Sequence, residues 1–359
     1  MTDLETLRSE VRGIDGEIIR MIARRTELTT LIGREKEKAR IPLRDWEVEK
    51  AVLENAVRNG SYHGLTEEFV TSVMQLIIRE SRLQQESRHF SGYKGELENI
   101  VIVGGLGGMG RWFSRFFRNQ GHNVSIYDTG GGTEEFVSHG SLEEAVETAS
   151  FICVATSLEG VPAVIDSIVD LDFGGTVFDI ASLKGHLKES VESAGNKGVG
   201  ITSIHPMFGP AARTLSDKVL CLCDCGDEEA NRKVEGLFAD TAVSMVRLSF
   251  DEHDKAMTLV LGLAHFINIV NAKMLSEGGY SYDELKEIGS TTFFSQMITT
   301  ESVIKENPDL YYGIQRCNPF KEKLYEELKE TVEELSGFVL KEDRDSFVRT
   351  MRESGQWIE

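Results

Sequence analysis

The stretch Ile100-Val-Ile-Val-Gly-Gly-Leu-Gly-Gly-Met-Gly110 constrains this chain more than any other. A short β-branched run predicts a buried strand. It ends in Gly105-Leu106-Gly107-Gly108-Met109-Gly110, a G-x-G-x-x-G turn, and helix-like sequence follows over 111–119. A second strand, Asn123-Val-Ser-Ile-Tyr127, runs into Asp128. Each part has a job in holding a dinucleotide. Gly105 is expected to permit the tight turn, Gly107 to let the backbone approach a pyrophosphate, and Gly110 to let helix and strand pack closely. The helix N-terminus offers free N–H groups and a partial positive charge to phosphates. Asp128, eighteen residues after Gly110, is placed to accept hydrogen bonds from an adenosine ribose. Its charge repels a 2′-phosphate, so NAD is expected in preference to NADP.

A chain of 359 residues accommodates two or three domains. Its formal net charge of −20 disfavours nucleic acid and anionic membranes as partners. Any site for an anionic substrate must then concentrate Arg and Lys locally against the overall field. No 18-residue apolar run stands out, so no transmembrane helix is expected. The N-terminus, Met-Thr-Asp-Leu-Glu, lacks a signal-peptide core. Five cysteines, an odd number, suit a reducing compartment, and the cytoplasm is expected. Cys221, Cys223 and Cys225 alternate, which puts all three on one face of a strand. They could form a metal cluster or be buried thiols. No second Cys/His group has metal-ligand spacing, so buried thiols are the better reading and no metal is expected.

Residues 3–38 read as one long amphipathic helix. Leu4, Val11, Ile18, Arg25 and Ile32 form one row, and Leu7, Ile14, Met21 and Leu28 its companion, a heptad seam suited to pairing with other helices. Arg25 is the anomaly, because a guanidinium on a seam must be paired or face an anion. Pro42 breaks the chain, and a second helix is expected near Asp45, which can cap it. After a loop over 60–64, Thr66 opens a third helix to about 88. On it the row Val73, Ile77 continues as Ser81, Gln85, an apolar stripe turning polar, as in the wall of a polar pocket. Residues 87–98 read as a linker. Strand–helix alternation then predicts a doubly wound sheet, with strands at 99–104, 123–127, 151–155, 176–180, 200–204, 218–224 and 242–248. From 251 the sequence is helical. The run from Met257 to Val270 is apolar around most of its circumference and is expected to be buried, in a dimer core. The fold class is therefore multi-domain, α and α/β. An all-helical domain occupies 1–90, a Rossmann-type NAD-binding domain 98–249, and a helical substrate and dimerisation domain 250–359.

The polar groups Arg8, Arg25, Lys36, Asp45, Glu49, Ser81 and Gln85 do not suit a plain bundle. With Leu7-Arg8, Ala23-Arg-Arg25, Gly33-Arg-Glu-Lys36, Ile41-Pro-Leu-Arg-Asp45, Glu49-Lys50 and Gln75-Leu-Ile-Ile-Arg-Glu-Ser81-Arg-Leu-Gln-Gln85, residues 4–88 resemble the all-helical chorismate mutases. The resemblance implies an intertwined dimer in which Arg8 from the partner and Arg25 bind the two carboxylates of chorismate. It implies that Lys36 and Gln85 hydrogen-bond the ether oxygen, that Asp45 and Glu49 position the ring hydroxyl, and that Ser81 meets a carboxylate. Such a rearrangement needs only a held conformer and stabilised charge on oxygen. One departure is Val48, where many members carry Arg three residues after the Asp.

Downstream stand Asp179-Ile-Ala-Ser182-Leu-Lys184, His205-Pro-Met-Phe-Gly-Pro210, Glu252-His253-Asp254 and His265. Together these motifs resemble the prephenate dehydrogenases and their arogenate-using relatives over roughly residues 99–350. Joined to the first resemblance, they are similar to the bifunctional chorismate mutase–prephenate dehydrogenases of tyrosine biosynthesis. The resemblance implies oxidative decarboxylation with NAD. His205, as neutral imidazole, draws off the C4 hydroxyl proton. Ser182 bonds the same hydroxyl and orients His205, while His265 helps to hold substrate. A second departure is Phe294, at the position where the family places a substrate-binding Arg. Arg213 is the first candidate to replace it, with Lys184 and Arg316 next. Two alternatives remain open: arogenate or dual-substrate specificity, and N-terminal helices that serve only dimerisation or sensing. The expected partners are small-molecule substrates and a second copy of the chain.

Overall fold

The computed structural model describes residues 3–38, 46–89 and 93–358, with side chains except those of 34, 36–38, 46–47 and 82–89. The expectations placed on Lys36, Asp45 and Gln85 therefore lie outside the described residues. By contact the chain divides into two compact units, one of residues 1–153, 206–222 and 228–246, the other of 154–205, 223–227 and 247–359.

In the first unit the N-terminal helices are α1 (Leu4–Lys38), α2 (Trp46–Tyr62) and α3 (Glu67–His89). α3 packs on both α1 and α2. The buried residues of α1 are Thr26, Thr30 and Gly33, small groups that allow close approach, and α3 answers with Val70, Ile78 and Ser81. The threonine hydroxyls bond back to their own helix, Thr26 Oγ1 to the Ile22 carbonyl at 3.0 Å and Thr30 Oγ1 to the Thr26 carbonyl at 2.9 Å. The heptad seam is left uncovered. Each of its apolar members, from Leu4 to Ile32, is at least 45 % exposed within the chain.

The sheet comprises β1 (Asn99–Val103), β2 (Asn123–Tyr127), β3 (Val137–Ser138), β4 (Phe151–Val154), β5 (Thr176–Asp179), β6 (Gly200–Pro206), β7 (Val219–Asp224) and β8 (Ser244–Ser249). Its order is β3-β2-β1-β4-β5-β6-β7-β8. The pairs β1–β2, β2–β3 and β5–β6 are parallel, with Asn99 opposite Asn123 and Thr176 opposite Gly200. Helices α4 (Gly108–Asn119), α5 (Leu142–Thr148), α6 (Val161–Asp170), α7 (Lys188–Lys197) and α8 (Glu228–Gly236) alternate with the strands. β1, β4 and β5 have almost no exposed side chains, as continuous apolar runs in a sheet covered on both faces require. The expected strands are all present. The two-residue β3 is the addition.

The remaining helices are α9 (Phe250–Met257), α10 (Ala264–Glu277), α11 (Tyr282–Glu287), α12 (Thr291–Ile304), α13 (Pro308–Cys317), α14 (Lys321–Leu340) and α15 (Arg344–Gln356). α9 and α10 are joined by a π-helical turn, Thr258–Leu263. One expectation is corrected here, that no segment is apolar and long enough to span a membrane. The continuous segment Phe250–Glu277 is long and apolar enough by length and composition to cross a membrane. It is also not buried by its own chain, for Leu259 is 59 % and Met274 69 % exposed. One face is engaged: Asn268 Oδ1 accepts from Gln296 Nε2 at 2.9 Å and from Thr300 Oγ1 at 2.9 Å, both on α12. Val260, Ile267 and Val270 are exposed as well.

At the end of β1, Gly104 takes the left-handed conformation, with φ +85°. The tight turn expected of Gly105 is therefore made by its neighbour. Gly105 is required for close approach instead, as a Cβ there would lie 2.6 Å from Ile126 Cβ. A Cβ at Gly110 would lie 2.1 Å from the Gly104 carbonyl oxygen, which is backbone and cannot yield cheaply. Gly110→Ala should thus lower stability by roughly 1–3 kcal/mol, the usual span for overpacking. Gly195→Ala is the control. Its Cβ meets nothing within 4 Å in α7, and thermal melts should show that substitution neutral or stabilising.

Candidate active site

Two sets of side chains stand out, one in each unit. In the first unit, Arg25 Nη1 donates to Ser81 Oγ at 2.8 Å, and Ser81 Oγ donates to the Ile77 carbonyl at 2.9 Å. Two site residues 56 apart in sequence are thereby joined. Arg25 is half-buried, and desolvation lowers its pKa. Among the described residues no carboxylate pairs with it. A partly desolvated guanidinium without a counter-ion is suited to an anionic ligand. Arg8 is exposed on α1, and Glu49 is half-buried on α2.

The same unit holds the glycine motif. α4 begins at Gly108, and its N-cap, Gly107, offers no side-chain cap. The first-turn amides are thus left to a ligand. Asp128, just past β2, folds back on the motif: Oδ2 accepts from the Leu106 amide at 2.9 Å and Oδ1 from the Gly130 amide at 2.8 Å. This fixes the carboxylate beside the loop. The segment after β6 is anchored to the same helix. Trp112 Nε1 donates to the Ala212 carbonyl at 2.7 Å, and the Trp112 and Phe208 rings lie 5.0 Å apart. Gly108 faces Pro210, whose Cγ would be 3.2 Å from an added Cβ. Crowded glycines, an uncapped helix start and a fixed acid together fit a dinucleotide.

In the second unit, His205 sits buried near the end of β6. Its Nδ1 is 2.9 Å from His253 Nε2, and His253 Nδ1 is 2.9 Å from Asp254 Oδ1. The protons of this chain follow from its end. A carboxylate only accepts, so His253 Nδ1 carries hydrogen and a neutral His253 has a bare Nε2. His205 must then donate from Nδ1, which leaves its own Nε2 as a free lone pair. The Asp254 carboxylate is held by more than the imidazole. Oδ1 also accepts from the Lys184 amide at 2.8 Å, and Oδ2 from the Gly185 amide at 2.6 Å. A capping box at Ser249 and Glu252 sets the helix start that delivers His253 and Asp254. Burial, then Lys184, then His253 push the His205 pKa well below the ordinary histidine value, so the ring is neutral at neutral pH.

His253 and Asp254 were singled out by sequence as a motif but given no task. The structure makes them the groups that orient His205. Ser182, expected in that role, is half-buried and makes no hydrogen bond among the described residues. Lys184 is removed as a substrate ligand: it is fully buried, with Nζ 2.8 Å from Asp179 Oδ1 and 2.9 Å from the Ile204 carbonyl. Arg316 is paired with Glu159. Arg213 is exposed and makes no hydrogen bond or ion pair among the described residues. Phe294 packs against Phe293 and Gly289. His265 stacks on Tyr311, ring centroids 4.3 Å apart, and its buried Nδ1 has no partner among the described residues. Desolvation lowers its pKa. A cavity of ≈ 550 Å³ next to Tyr311 is lined by Phe266, Tyr312 and Tyr325 among others, but by neither His205 nor His265. Cys221 and Cys223 are buried in β7, and the half-buried Cys225 thiol is pushed up by burial.

Comparison with known proteins bears on all three regions. Residues 7–86 match the family model for chorismate mutase type II. Residues 113–246 match the prephenate dehydrogenase nucleotide-binding domain, and 249–353 its dimerization domain. The T-protein of Enterobacter agglomerans is 24 % identical over 358 residues, covering 100 % of this chain and 94 % of that protein. A probable arogenate/prephenate dehydrogenase of Methanocaldococcus jannaschii is 28 % identical over 270 residues, covering 72 % and 60 % of the respective chains. Among solved structures, prephenate dehydrogenase from A. aeolicus in complex with hydroxyphenyl propionate and NAD+ superposes with a TM-score of 0.60. It shares 17 % identity and covers 73 % of this chain and 97 % of its own.

Asp254→Ala would leave three donors without an acceptor: His253 Nδ1–H and the amides of Lys184 and Gly185. At 1–3 kcal/mol per orphaned buried group, the loss should reach about 3 kcal/mol or more. Urea unfolding that showed less than about 1 kcal/mol would mean that this carboxylate is not the anchor.

Proposed function

Because the chain belongs to the bifunctional chorismate mutase–prephenate dehydrogenases, we propose that it carries out two consecutive steps of tyrosine biosynthesis with the residues described above. The N-terminal helices, 1–90, rearrange chorismate to prephenate. Residues 98–249 bind NAD, and 250–359 complete the dehydrogenase and its dimer. The observation that carries the reading is the buried His205–His253–Asp254 chain, which engages His205 through Nδ1 and leaves Nε2 for the substrate.

NAD, when bound, is the hydride acceptor of an oxidative decarboxylation whose product is 4-hydroxyphenylpyruvate. Gly105, Gly107 and Gly110 would lie under its pyrophosphate and Asp128 at its ribose. His205 Nε2 takes the proton of the C4 hydroxyl. The positive charge that forms is shared toward His253 and stabilised by Asp254, which keeps the base oriented through the transfer. Ser182 meets the same hydroxyl, and the unpartnered Nδ1 of His265 supports its role as a substrate contact. Arg213 is the cation left for the carboxylate that Phe294 cannot meet. Phe294 also sustains a second reading, in which arogenate serves as substrate as well.

In the mutase, Arg25 and Ser81 form one wall, with Lys36 and Gln85 at the ether oxygen, Asp45 and Glu49 at the ring hydroxyl, and Arg8 supplied by a second copy. Nothing in a pericyclic step asks for a nucleophile, so a charged, well-shaped pocket suffices. The uncovered seam of α1 and the uncovered stripe of Phe250–Glu277 support a homodimer. They are large contiguous apolar surfaces of the kind that mark interfaces. The enzyme is soluble, and the cytoplasm is the compartment we assign.

Chorismate plus NAD, with chorismate loss and NADH followed together, tests the whole reading. Arg25→Ala should abolish mutase turnover while supplied prephenate is still oxidised. His205→Ala should do the reverse and lower dehydrogenase kcat by a factor of roughly 10² to 10⁴. Full hydride transfer in the His205→Ala protein would dismiss His205 as the base. Asp128 should make kcat/KM higher for NAD than for NADP, and Asp128→Ala should narrow that gap. Arg213→Ala should raise KM for prephenate with kcat and the KM for NAD little changed. An unaltered prephenate KM would remove Arg213 from the site.

A further inference from the structure

Lys184 has no exposed surface and touches the His205 chain at both ends. Its ammonium donates to the carbonyl of Ile204, the residue before His205, and to Asp179 Oδ1. Its backbone amide donates to Asp254 Oδ1, the group that fixes His253. The links close a ring: His205 to His253, His253 to Asp254, Asp254 to the Lys184 main chain, and the Lys184 side chain back to the strand carrying His205. A buried ion pair is seldom the cheapest way to fill a core, since apolar groups of the same volume often serve as well or better. Its presence at this one spot calls for a task.

We propose that Lys184 is a positioning residue for prephenate oxidation, locking His205 against His253 and holding a fixed positive charge beside the imidazole. The inference rests on the reading of His205 as the base. A cation there disfavours an imidazolium, so the ring stays neutral until the substrate hydroxyl delivers its proton. Asp179 is the counter-ion of Lys184, yet of the pair it is Lys184 that acts on the ring, pushing the His205 pKa down. Asp179, at the end of β5, is engaged by Lys184 Nζ and by the Ala181 amide. Asp254, on α9, is engaged by His253 and two amides. His186, after β5, has its pKa lowered by burial and is neutral. Cys225, after β7, is held as a thiol, and His253 is the ring that meets His205 Nδ1.

Two double variants test this without stranding the buried carboxylate. Asp179→Asn/Lys184→Gln keeps a donor for the Ile204 carbonyl but removes both charges of the ion pair, that of Lys184 among them. Asp179→Asn/Lys184→Met removes the donor as well. With the full-length enzyme, prephenate oxidation is read as kcat/KM against pH, and circular dichroism with a thermal melt of the same samples reports folding. His205 acts as a base, so its protonation sets the acidic limb. Both variants should move that limb to higher pH by about one unit. The Met variant should also lose about tenfold in plateau kcat through misplacement of the ring. Folded variants with limb and plateau unchanged overturn the proposal. Should neither variant fold, the unsubstituted enzyme decides: its acidic limb is expected below the ordinary histidine value of about 6.5, and a limb at or above it overturns the proposal. An unsubstituted enzyme that oxidises no prephenate at any pH overturns the parent reading and this one with it. That failure is distinguishable, because it appears before any substitution is made.

Discussion

The dehydrogenase half depends on a carboxylate that can only accept. Asp254 takes three N–H groups, one from His253 and two from the main chain at Lys184 and Gly185. Because it has nothing to donate, it dictates the tautomer of His253, and through it that of His205. The hydrogen-bonding state of His205 is thus set by a group two residues removed from it in the hydrogen-bonded chain. The same carboxylate ties α9 to the segment after β5, so the geometry of the base and the packing of the fold share one anchor. Any loosening of that anchor would be felt both as instability and as a misplaced base.

The mutase half follows a different logic. Its pocket is shaped by cations and small groups on helices whose long apolar seam remains exposed in a single chain. Arg25 on Ser81 joins two of the residues expected in that pocket within one copy. The helix pair is closed by threonine and glycine on one side and leaves leucine, isoleucine and valine exposed on the other. The segment Phe250–Glu277 repeats this in the second half of the chain, with a polar ladder to α12 on one face and an uncovered apolar stripe on the other. Both modules thus carry apolar surfaces that a single chain leaves exposed.

Local patterns made most of the architecture legible. The β-branched run before the glycine motif, the strand–helix alternation and the heptad seam all depend on neighbours in sequence, and each element is present. Legibility fell where the deciding contact is long-range. Gly105 looked like the turn residue, but Gly104 carries the positive φ, and only the packing on Ile126 shows why Gly105 must be glycine. Lys184 looked like a spare cation for a substrate carboxylate, since nothing in sequence announces that Asp179 and Ile204 surround it. His253 and Asp254 were visible as a motif, yet their task needs β6, α9 and the segment after β5 brought together. The run from Met257 to Val270 is apolar enough to predict burial in a dimer core, and within one chain Leu259, Val260, Ile267 and Val270 stay exposed, because hydrophobicity does not distinguish an interior from an interface.

The central claim is that His205 is a neutral imidazole with hydrogen on Nδ1 and a bare Nε2, held so by His253 and Asp254. Nitrogen-15 NMR of histidine-labelled enzyme at neutral pH reads this directly. The account predicts a protonated Nδ1 and an unprotonated Nε2 for both His205 and His253. A His205 ring protonated at Nε2, or at both nitrogens, would contradict it.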